Sequence, residues 1–410
     1  MTTADRRSPR SASGRPVQPV RVAAGAVATT VACVVPVFLV GGLAVQMGHE
    51  LRFSPAGLGL AVSVYFGVSA LASVPSGTLV ERYGPAVVAR SGILLAAGAL
   101  LAIGLLARSY ALLVLLLAIS AGANALGQLA SNMSLARHVP AGRQGLSFGV
   151  KQAAIPISTL LAGAAVPTVA LTVGWRWAFV VAAVAALTAL PAVPPDGRGR
   201  IARAERSGGR ATVALAVLGL AGALASGAAN ALGTFVVDSA ADRGLSPGLA
   251  GLTLTFGSAV CVLARVGSGW LADRRASGHV AVIAGMLVVG AAGLGLLAVA
   301  GVPSMVAGIT LGFGLGWAWP GLLNFAVVRL HPQAPAAATS ITQTGVYAGG
   351  CVGPLGLGAV AGHLGYPTMW AVAAVSMLVA AGLMLSGRRL LLRVRAAQAA
   401  AARPRVAHAR

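Results

Sequence analysis

Long apolar runs separated by short polar clusters make up most of this chain. Many of the runs contain about 20 residues, the length that an α-helix needs to cross the roughly 30 Å hydrocarbon core of a bilayer. Glycine and proline recur within them, and membrane helices tolerate both. The pattern therefore predicts an all-α polytopic membrane protein with twelve spans.

The predicted spans form two groups of six. The first group covers residues 23–47, 56–80, 87–107, 110–136, 145–170 and 176–193, and the second covers 212–238, 247–272, 279–300, 303–328, 336–360 and 366–386. We predict five parts: an N-terminal tail (1–22), a six-helix bundle (23–193), a central loop (194–211), a second bundle (212–386) and a basic tail (387–410). The first run is longer than the core of a signal peptide and no clear cleavage site follows it, so we expect it to be retained as a span.

The charge content supports a membrane protein. Charged residues make up 9% of the chain, against about 25% in a soluble domain, and the mean hydropathy is +0.85. The net charge of +22 does not predict nucleic-acid binding, because the arginines recur where apolar runs end instead of forming one face. We expect no nucleic-acid partner.

The positions of the basic residues also predict the orientation. With the N-terminus inside, 24 of the 30 basic residues lie on cytoplasmic segments, while Lys151 and Arg265 lie within spans. Four lie on external segments: Arg52, Arg108, Arg176 and Arg243. The positive-inside rule therefore predicts a plasma-membrane protein with both termini in the cytoplasm.

Metal and cofactor sites are not indicated. The three cysteines, Cys33, Cys261 and Cys351, lie in separate apolar runs without ligand spacing, and the histidines lie near span ends or in the tail. We expect reduced, structural cysteines, no metal and no cofactor.

The two halves of the chain repeat each other. A shift of 192 residues aligns "SGTLVER" (76–82) with "SGWLADR" (268–274), and a shift of 191 aligns Gln152 with Gln343. Charged residues coincide at one offset by chance far less easily than apolar ones. Two six-span repeats in the same orientation are typical of transporters that hold a substrate at the interface between the repeats.

These repeated segments resemble a known family. "GTLVERYG" and "GWLADR" are similar to the loop motif of the major facilitator superfamily, and they fall between spans 2 and 3 and between spans 8 and 9, as in that family. The resemblance covers about 23–386 and implies two pseudo-symmetric six-helix bundles that transport by alternating access. Two departures weaken the first copy: Pro85-Ala86 replaces the usual basic pair, and Glu81 replaces the commoner aspartate.

The two loops are candidate conformational switches. Their residues in this role are Gly77, Glu81, Arg82, Gly269, Asp273 and Arg274. The glycines would let helices approach closely, the carboxylates would accept hydrogen bonds from helix N-terminal amides, and the arginines would reach C-terminal carbonyls or carboxylates. Contacts of this kind would break when the cytoplasmic side opens. The alternative is a solvated turn that only fixes topology.

Polar stripes predict a cavity inside the bundle. The candidate substrate-binding residues are Asn124, Gln128, Lys151, Gln152, Asn230, Trp317, Asn324, Gln343 and Tyr347. Carboxamides that faced lipid would be costly, so these faces should point inward. In the resembled family, spans 4, 5, 7, 10 and 11 contribute to the central cavity. The alternatives are hydrogen bonding between helices without substrate contact and, for the tryptophan, packing alone.

Lys151 is the one lysine beside 29 arginines, and it lies about 9 Å inside span 5. It shares a polar face with Gln152, Ser158 and Thr159. An ammonium at the membrane centre costs at least about 3 kcal/mol, although snorkelling to the interface would relieve much of this cost. The alternative hypothesis is that Lys151 faces the cavity and attracts an anionic group, with Gln152 and Gln343 as hydrogen-bonding partners.

The sequence thus favours a secondary transporter of a small solute, with a small organic or inorganic anion as the candidate. We expect a monomer in the lipid bilayer, and a coupling proton or ion remains open. The chain has no carboxylate at mid-membrane depth, where proton-coupled transporters typically use one. It also lacks the arginine that proton-coupled drug exporters of the resembled family usually carry in the middle of span 4, so the resemblance disfavours that alternative. A membrane enzyme would need embedded metal ligands or a serine–lysine dyad, and only Ser147, four residues before Lys151, points that way. A transporter-like receptor or scaffold is the remaining alternative.

Overall fold

A computed structural model describes residues 19–139, 144–195, 212–275, 277–330 and 335–401, and these segments are almost entirely helical, with no strand among them. Most of the predicted N-terminal tail, the central loop and the end of the basic tail lie outside the described residues. A helix satisfies its own backbone hydrogen bonds, which lipid cannot do, and this explains why the apolar runs fold in this way.

The first half contains nine α-helices in its described residues: α1 (Pro19–Gly42), α2 (Ala44–Leu51), α3 (Pro55–Tyr83), α4 (Pro85–Leu106), α5 (Tyr110–His138), α6 (Gln144–Gln152), α7 (Ala154–Ala165), α8 (Leu171–Val173) and α9 (Trp175–Leu187). A π-helical turn (Val166–Ala170) and a 3-10 turn (Leu190–Ala192) complete this half. Two of the starts have serine caps. Ser54 and Ser109 accept hydrogen bonds from the amides of Gly57 and Leu112, each at 3.3 Å.

The helix of the first predicted span begins earlier than residue 23 and ends at Gly42, and the short α2 follows it.

The second half contains α10 (Thr212–Asp242), α11 (Pro247–Arg274), α12 (His279–Ala298), α13 (Val302–Leu311), α14 (Pro320–Leu330) and α15 (Pro335–Ala401). Within the described residues, 11 helical segments are long and apolar enough to cross a membrane, one fewer than predicted. The eleventh, Ile341–Arg393, has 53 residues, and a straight helix of that length would measure about 80 Å against the roughly 30 Å bilayer core. Gly365 breaks it with φ 81° and ψ 166°, and the predicted spans 11 and 12 lie on either side of this glycine.

Spans 5 and 10 are interrupted helices. In span 5, α6 ends at Gln152 and α7 begins at Ala154. Pro156 lacks the amide hydrogen to which the Gln152 carbonyl would bond in a continuous helix. In span 10, a π-helical turn follows α13, and α14 begins at Pro320, so the backbone leaves helical geometry at Trp317 (φ −116°, ψ 0°). Both interruptions free backbone carbonyl groups inside the bundle.

Small residues bring the two halves of the chain into close contact. A Cβ atom added to Gly59 of α3 would lie 2.2 Å from the carbonyl oxygen of Pro354 in α15. One added to Gly163 of α7 would lie 2.6 Å from the carbonyl oxygen of Gly251 in α11. On the outside, Leu71 and Leu263 are 78% and 74% exposed, which suits side chains that face lipid. Glycines therefore permit the close contacts between the halves, while some large apolar side chains face the membrane.

The two ends of the helix bundle differ in charge. We call the end with Arg82, Arg274 and Arg388 the basic side, and the opposite end the Glu50 side. On the Glu50 side, Trp175 Nε1 and Arg176 Nη1 donate hydrogen bonds to the Glu50 carboxylate at 2.6 and 2.5 Å. The bond from Trp175 is the main reason that the pKa of Glu50 lies below its ordinary value, with Arg176 adding to the effect and burial opposing it. This contact ties the end of α2 to the start of α9.

Candidate functional site

A cavity of about 80 Å³ lies among helices of both halves. Seven of the nine predicted substrate-binding residues line it: Asn124, Gln128, Gln152, Asn230, Trp317, Gln343 and Tyr347. The remaining wall contains Ser226, Arg265 and several aromatic and aliphatic side chains, including Phe38 and Phe66. The polar stripes of spans 4, 5, 7 and 11 therefore meet at one site, although they are far apart in the sequence.

Several polar atoms at this cavity have no hydrogen-bonding partner among the described residues. Asn124 donates through Nδ2 to Ser69 Oγ at 3.1 Å, but its Oδ1 atom is buried and unpaired. The Oε1 atom of Gln152 and the indole nitrogen of Trp319 are likewise buried and unpaired. Buried polar atoms are normally hydrogen bonded, so these groups remain available to water or a ligand.

Other members of the stripes bond within the bundle, as in the alternative interpretation. Thr159 of α7 and Ser258 of α11 share a hydrogen bond of 2.6 Å, and Ser158 donates to the Ala154 carbonyl at 2.9 Å. Asn230 donates to the Ser226 carbonyl at 2.8 Å while it lines the cavity. The polar stripes thus both line the cavity and form hydrogen bonds within the bundle. Helix periodicity alone does not show which residue does which.

Lys151 is buried behind the cavity wall. Its side chain is 3% exposed and its ammonium donates a hydrogen bond to Oε1 of Gln128, which lines the cavity. The snorkelling alternative is therefore wrong, because the ammonium stays inside the bundle. Lys151 is not among the lining residues, and its hydrogen-bonding partner is Gln128 instead of Gln343.

Asn324 does not reach the cavity either. It lies on α14 and is half-buried, and its Oδ1 atom is buried without a hydrogen-bonding partner in the described residues. Trp317 lies at the interruption of span 10, whereas Asn324 lies beyond it on α14.

Arg265 of α11 is the lining residue that the sequence analysis left without a role. It is 1% exposed, and its Nε and Nη2 atoms donate to the Trp317 carbonyl at 3.1 and 2.7 Å. Its Nη1 atom donates to the Gln152 carbonyl at 2.5 Å. Arg265 therefore supplies the donor that Pro156 cannot, and joins the interruption in span 5 to the one in span 10. Its position inside a span was the signal that could have identified it.

The two cationic side chains at the cavity are not paired with described carboxylates. Neither Lys151 nor Arg265 forms an ion pair with a carboxylate in the described part of the chain. Their partners are neutral carbonyl oxygens and one carboxamide. Three of the described carboxylates near the ends of the bundle, Glu50, Asp273 and Asp238, are engaged elsewhere. The arrangement leaves uncompensated positive charge around the cavity.

The second-half loop forms the contact predicted for a switch. The two carboxylate oxygens of Asp273 accept hydrogen bonds from the amides of Gly145 and Leu146, at 3.0 and 2.9 Å, at the start of α6. A Cβ atom on Gly269 would lie 2.8 Å from the Gly145 carbonyl oxygen, so this glycine permits the close approach. Arg274 differs from the prediction because its guanidinium stacks on Trp270, 3.6 Å from the ring centroid.

The first-half loop forms no equivalent contact with a described residue. A Cβ atom on Gly77 would meet no atom of a described residue within 4 Å. Glu81 is exposed and has no hydrogen bond to a described residue, and Arg82 lies over the ring of Tyr83 at 5.3 Å. The tight contact between α3 and α15 lies instead near Gly59, on the Glu50 side.

Comparison with known proteins decides the family. The sequence model of the Major Facilitator Superfamily matches residues 25–354 and, in a second match, residues 218–407. The chain belongs to the Major Facilitator Superfamily. It is a multi-pass membrane transporter of the major facilitator type, and the second match agrees with the internal repeat. No curated protein matches the chain.

Membership of this superfamily gives the cavity a role. Its members are transporters, and a transporter binds a small molecule within the membrane. The described residues contain no group of three or more histidine, cysteine or acidic side chains that could hold a metal. The cysteines of this facilitator are unpaired; Cys33 and Cys261 are fully buried, and Cys351 lies 3.5 Å from the Ser63 hydroxyl.

Proposed function

We propose that this facilitator transports a small organic or inorganic anion. The observation that carries the proposal is the pair of buried cations, Lys151 and Arg265, without a carboxylate partner among the described residues. Burying a charge costs several kcal/mol unless a partner offsets it. A bound anion supplies that partner, whereas a cation would meet repulsion.

The lining residues suit such a substrate. A guanidinium offers paired donors that match a carboxylate or phosphate, and Arg265 holds its guanidinium at the cavity wall. The unpaired indole N–H of Trp319 adds a neutral donor, and Lys151 polarises the wall through Gln128. The cavity of about 80 Å³ is far smaller than the roughly 300–1,000 Å³ of drug-sized sites. Its size thus disfavours efflux of large hydrophobic compounds, the alternative function.

The proposed architecture has twelve spans in two six-helix bundles, 23–193 and 212–386. The break at Gly365 supports two crossings within α15. The excess of arginine on the basic side supports a cytoplasmic position for that side and for both termini in a plasma membrane. We propose a monomer as the working unit.

Alternating access would use the two loops as switches. The bonds from Gly145 and Leu146 to Asp273 hold α6 against α11 on the basic side, and these bonds must break for that side to open. Gly269 and Arg274 support this contact. The repeat places Gly77, Glu81 and Arg82 on the same side, where they are the remaining candidates for a switch contact.

Uptake by purified protein in liposomes tests the proposal. The panel comprises labelled monocarboxylates, dicarboxylates, phosphate, sulfate, a neutral sugar and a lipophilic cation, each with and without a pH gradient. We expect saturable uptake of at least one small anion, competition by other anions, and loss of uptake in Arg265→Gln. Arg108→Gln, an exposed arginine on the Glu50 side, is the matched control and should behave as wild type. Uptake of the sugar or the cation alone would overturn the proposal, and uptake of the lipophilic cation would favour the drug-efflux alternative.

A further inference from the structure

A second cavity, of about 400 Å³, lies on the basic side between the start of α12 and the ends of α14 and α15. Residues 277–280 form one wall, and Arg329 and Arg388 contribute to the others. None of its lining residues lines the central cavity, so the two sites are separate.

The positive charges of this cavity have little compensation. Arg388 is half-buried and forms no hydrogen bond or ion pair with a described residue. Arg329 lies over the ring of Phe325 and donates a hydrogen bond to the Arg275 carbonyl at 3.2 Å. Asp273, the nearby carboxylate in the sequence, already accepts two hydrogen bonds from α6. The first turn of α12 has no acidic residue to offset its helix dipole.

Beside the arginines and the polar Ser277 and His279, the lining is apolar. Val280 and Leu391 are 3% and 4% exposed and form an apolar wall beside the arginines. Leu392 is 48% exposed, so the apolar wall continues to the surface of the bundle. A soluble anion would use only the charged part of this cavity. An amphiphile with an anionic head group and an apolar tail would use both parts.

We propose that this cavity binds an anionic phospholipid of the leaflet that contacts the basic side. The phosphate group would lie between Arg329 and Arg388, and an acyl chain would follow Val280, Leu391 and Leu392 towards the bilayer. Basic pockets between membrane helices on the cytoplasmic side recognise lipid head groups by this combination of charge and depth. Because Arg329 also holds the Arg275 carbonyl, a bound lipid would stabilise the loop that carries Asp273.

Competition between lipids tests this site. Delipidated transporter in neutral detergent is titrated with phosphatidylglycerol, phosphatidylcholine or inorganic phosphate. Native mass spectrometry counts the retained lipid, and thermal unfolding measures stabilisation. We expect preferential retention of phosphatidylglycerol, with a higher unfolding midpoint. Arg329→Gln/Arg388→Gln should reduce the preference about 30-fold, at roughly 1 kcal/mol for each charge near the surface.

Arg389→Gln is the matched control, because Arg389 is exposed on the same helix, adjacent to Arg388, and does not line the cavity. It should retain the preference. If the double variant does not fold, Arg388→Gln alone should still reduce the preference about 5-fold, since Arg388 bonds to no described residue. Equal retention of both lipids by the wild type would refute the proposal. An equal loss in Arg389→Gln would also refute it and indicate general surface attraction, and equal stabilisation by inorganic phosphate would indicate a soluble anion instead.

Discussion

Replacing Asp273 by asparagine removes one charge from the contact between α11 and α6 and preserves the shape of the side chain. In the structure, both carboxylate oxygens accept hydrogen bonds from backbone amides at the start of α6. Asparagine retains one acceptor oxygen and presents an amide group to the other N–H. One bond is therefore weakened and the other is lost.

The expected cost follows from these bonds. A hydrogen bond to a charged group contributes about 1.5–3 kcal/mol, and a neutral bond contributes about 1 kcal/mol. The helix dipole adds roughly 0.3–1 kcal/mol at a partly exposed site. Allowing for the partial exposure of Asp273, we expect a net loss of about 2–3 kcal/mol, which corresponds to a shift of about 30–150-fold in the equilibrium between the closed and open basic side.

Two measurements can detect this shift in the equilibrium between the closed and open basic side. Initial uptake rates in proteoliposomes report turnover, and we expect Asp273→Asn to slow uptake sharply while insertion and yield remain normal. Spin labels at Thr78 and Leu271, both exposed near the basic side, report the separation of the two halves. The distance distribution should move towards longer separations, because the closed state loses its stabilising contact.

Glu81→Gln is the matched control for charge. Glu81 is exposed and forms no hydrogen bond with a described residue, so its replacement should leave the distances in this state unchanged and slow uptake less. Wild-type turnover and wild-type distances in purified Asp273→Asn would refute the switch role and leave the loop as a determinant of topology.

Three further outcomes follow from the structure. Lys151→Gln should abolish anion uptake and Lys151→Arg should impair it strongly, both at normal protein levels, because both disturb a buried cation site. Equal uptake by wild type and Lys151→Gln would exclude a role of Lys151 in anion transport. Gly149→Ala should cost roughly 1–3 kcal/mol of stability through overpacking and so lower the thermal midpoint, since the new Cβ would lie 2.8 Å from the Arg265 carbonyl oxygen. Gly98→Ala, whose Cβ would meet no described atom within 4 Å, should leave the midpoint unchanged. Glu50→Gln should lower stability at neutral pH. Because folding lowers the pKa of Glu50, its contribution is present above the ordinary carboxyl pKa and disappears as pH falls through the folded value, so wild-type and variant midpoints should converge in acid; a constant gap would contradict this account.

The conformational loops show a limit of sequence reasoning. The segments around Glu81 and Asp273 align at one offset, yet only Asp273 contacts a helix N-terminus among the described residues. Among the described residues, α6 meets α11 on the basic side, while the close contact of α3 with α15 lies near Gly59. A repeated motif specifies the groups that are available for a contact, and the state of the bundle determines which of them have partners.

The buried charges show a second limit. The sequence places Lys151 and Arg265 at membrane depth, where a charge is expensive, and both are buried. It does not show that Lys151 bonds to Gln128, 23 residues earlier, or that Arg265 bonds to the Gln152 carbonyl, 113 residues away. Each partner depends on an interrupted helix and on its neighbours in the bundle.

The sequence by itself determined the membrane spans, the internal repeat, the family and the polar faces that meet at the cavity. These features follow from local composition, because hydrocarbon excludes polar side chains and unsatisfied backbone groups wherever they occur in the chain. Only the tertiary structure decided which charges line the cavity, which loop forms the switch contact, and how Arg265 bonds to the carbonyl left without a donor by Pro156. Those contacts join residues far apart in sequence, and their geometry is set by helix packing and helix breaks that no local pattern encodes.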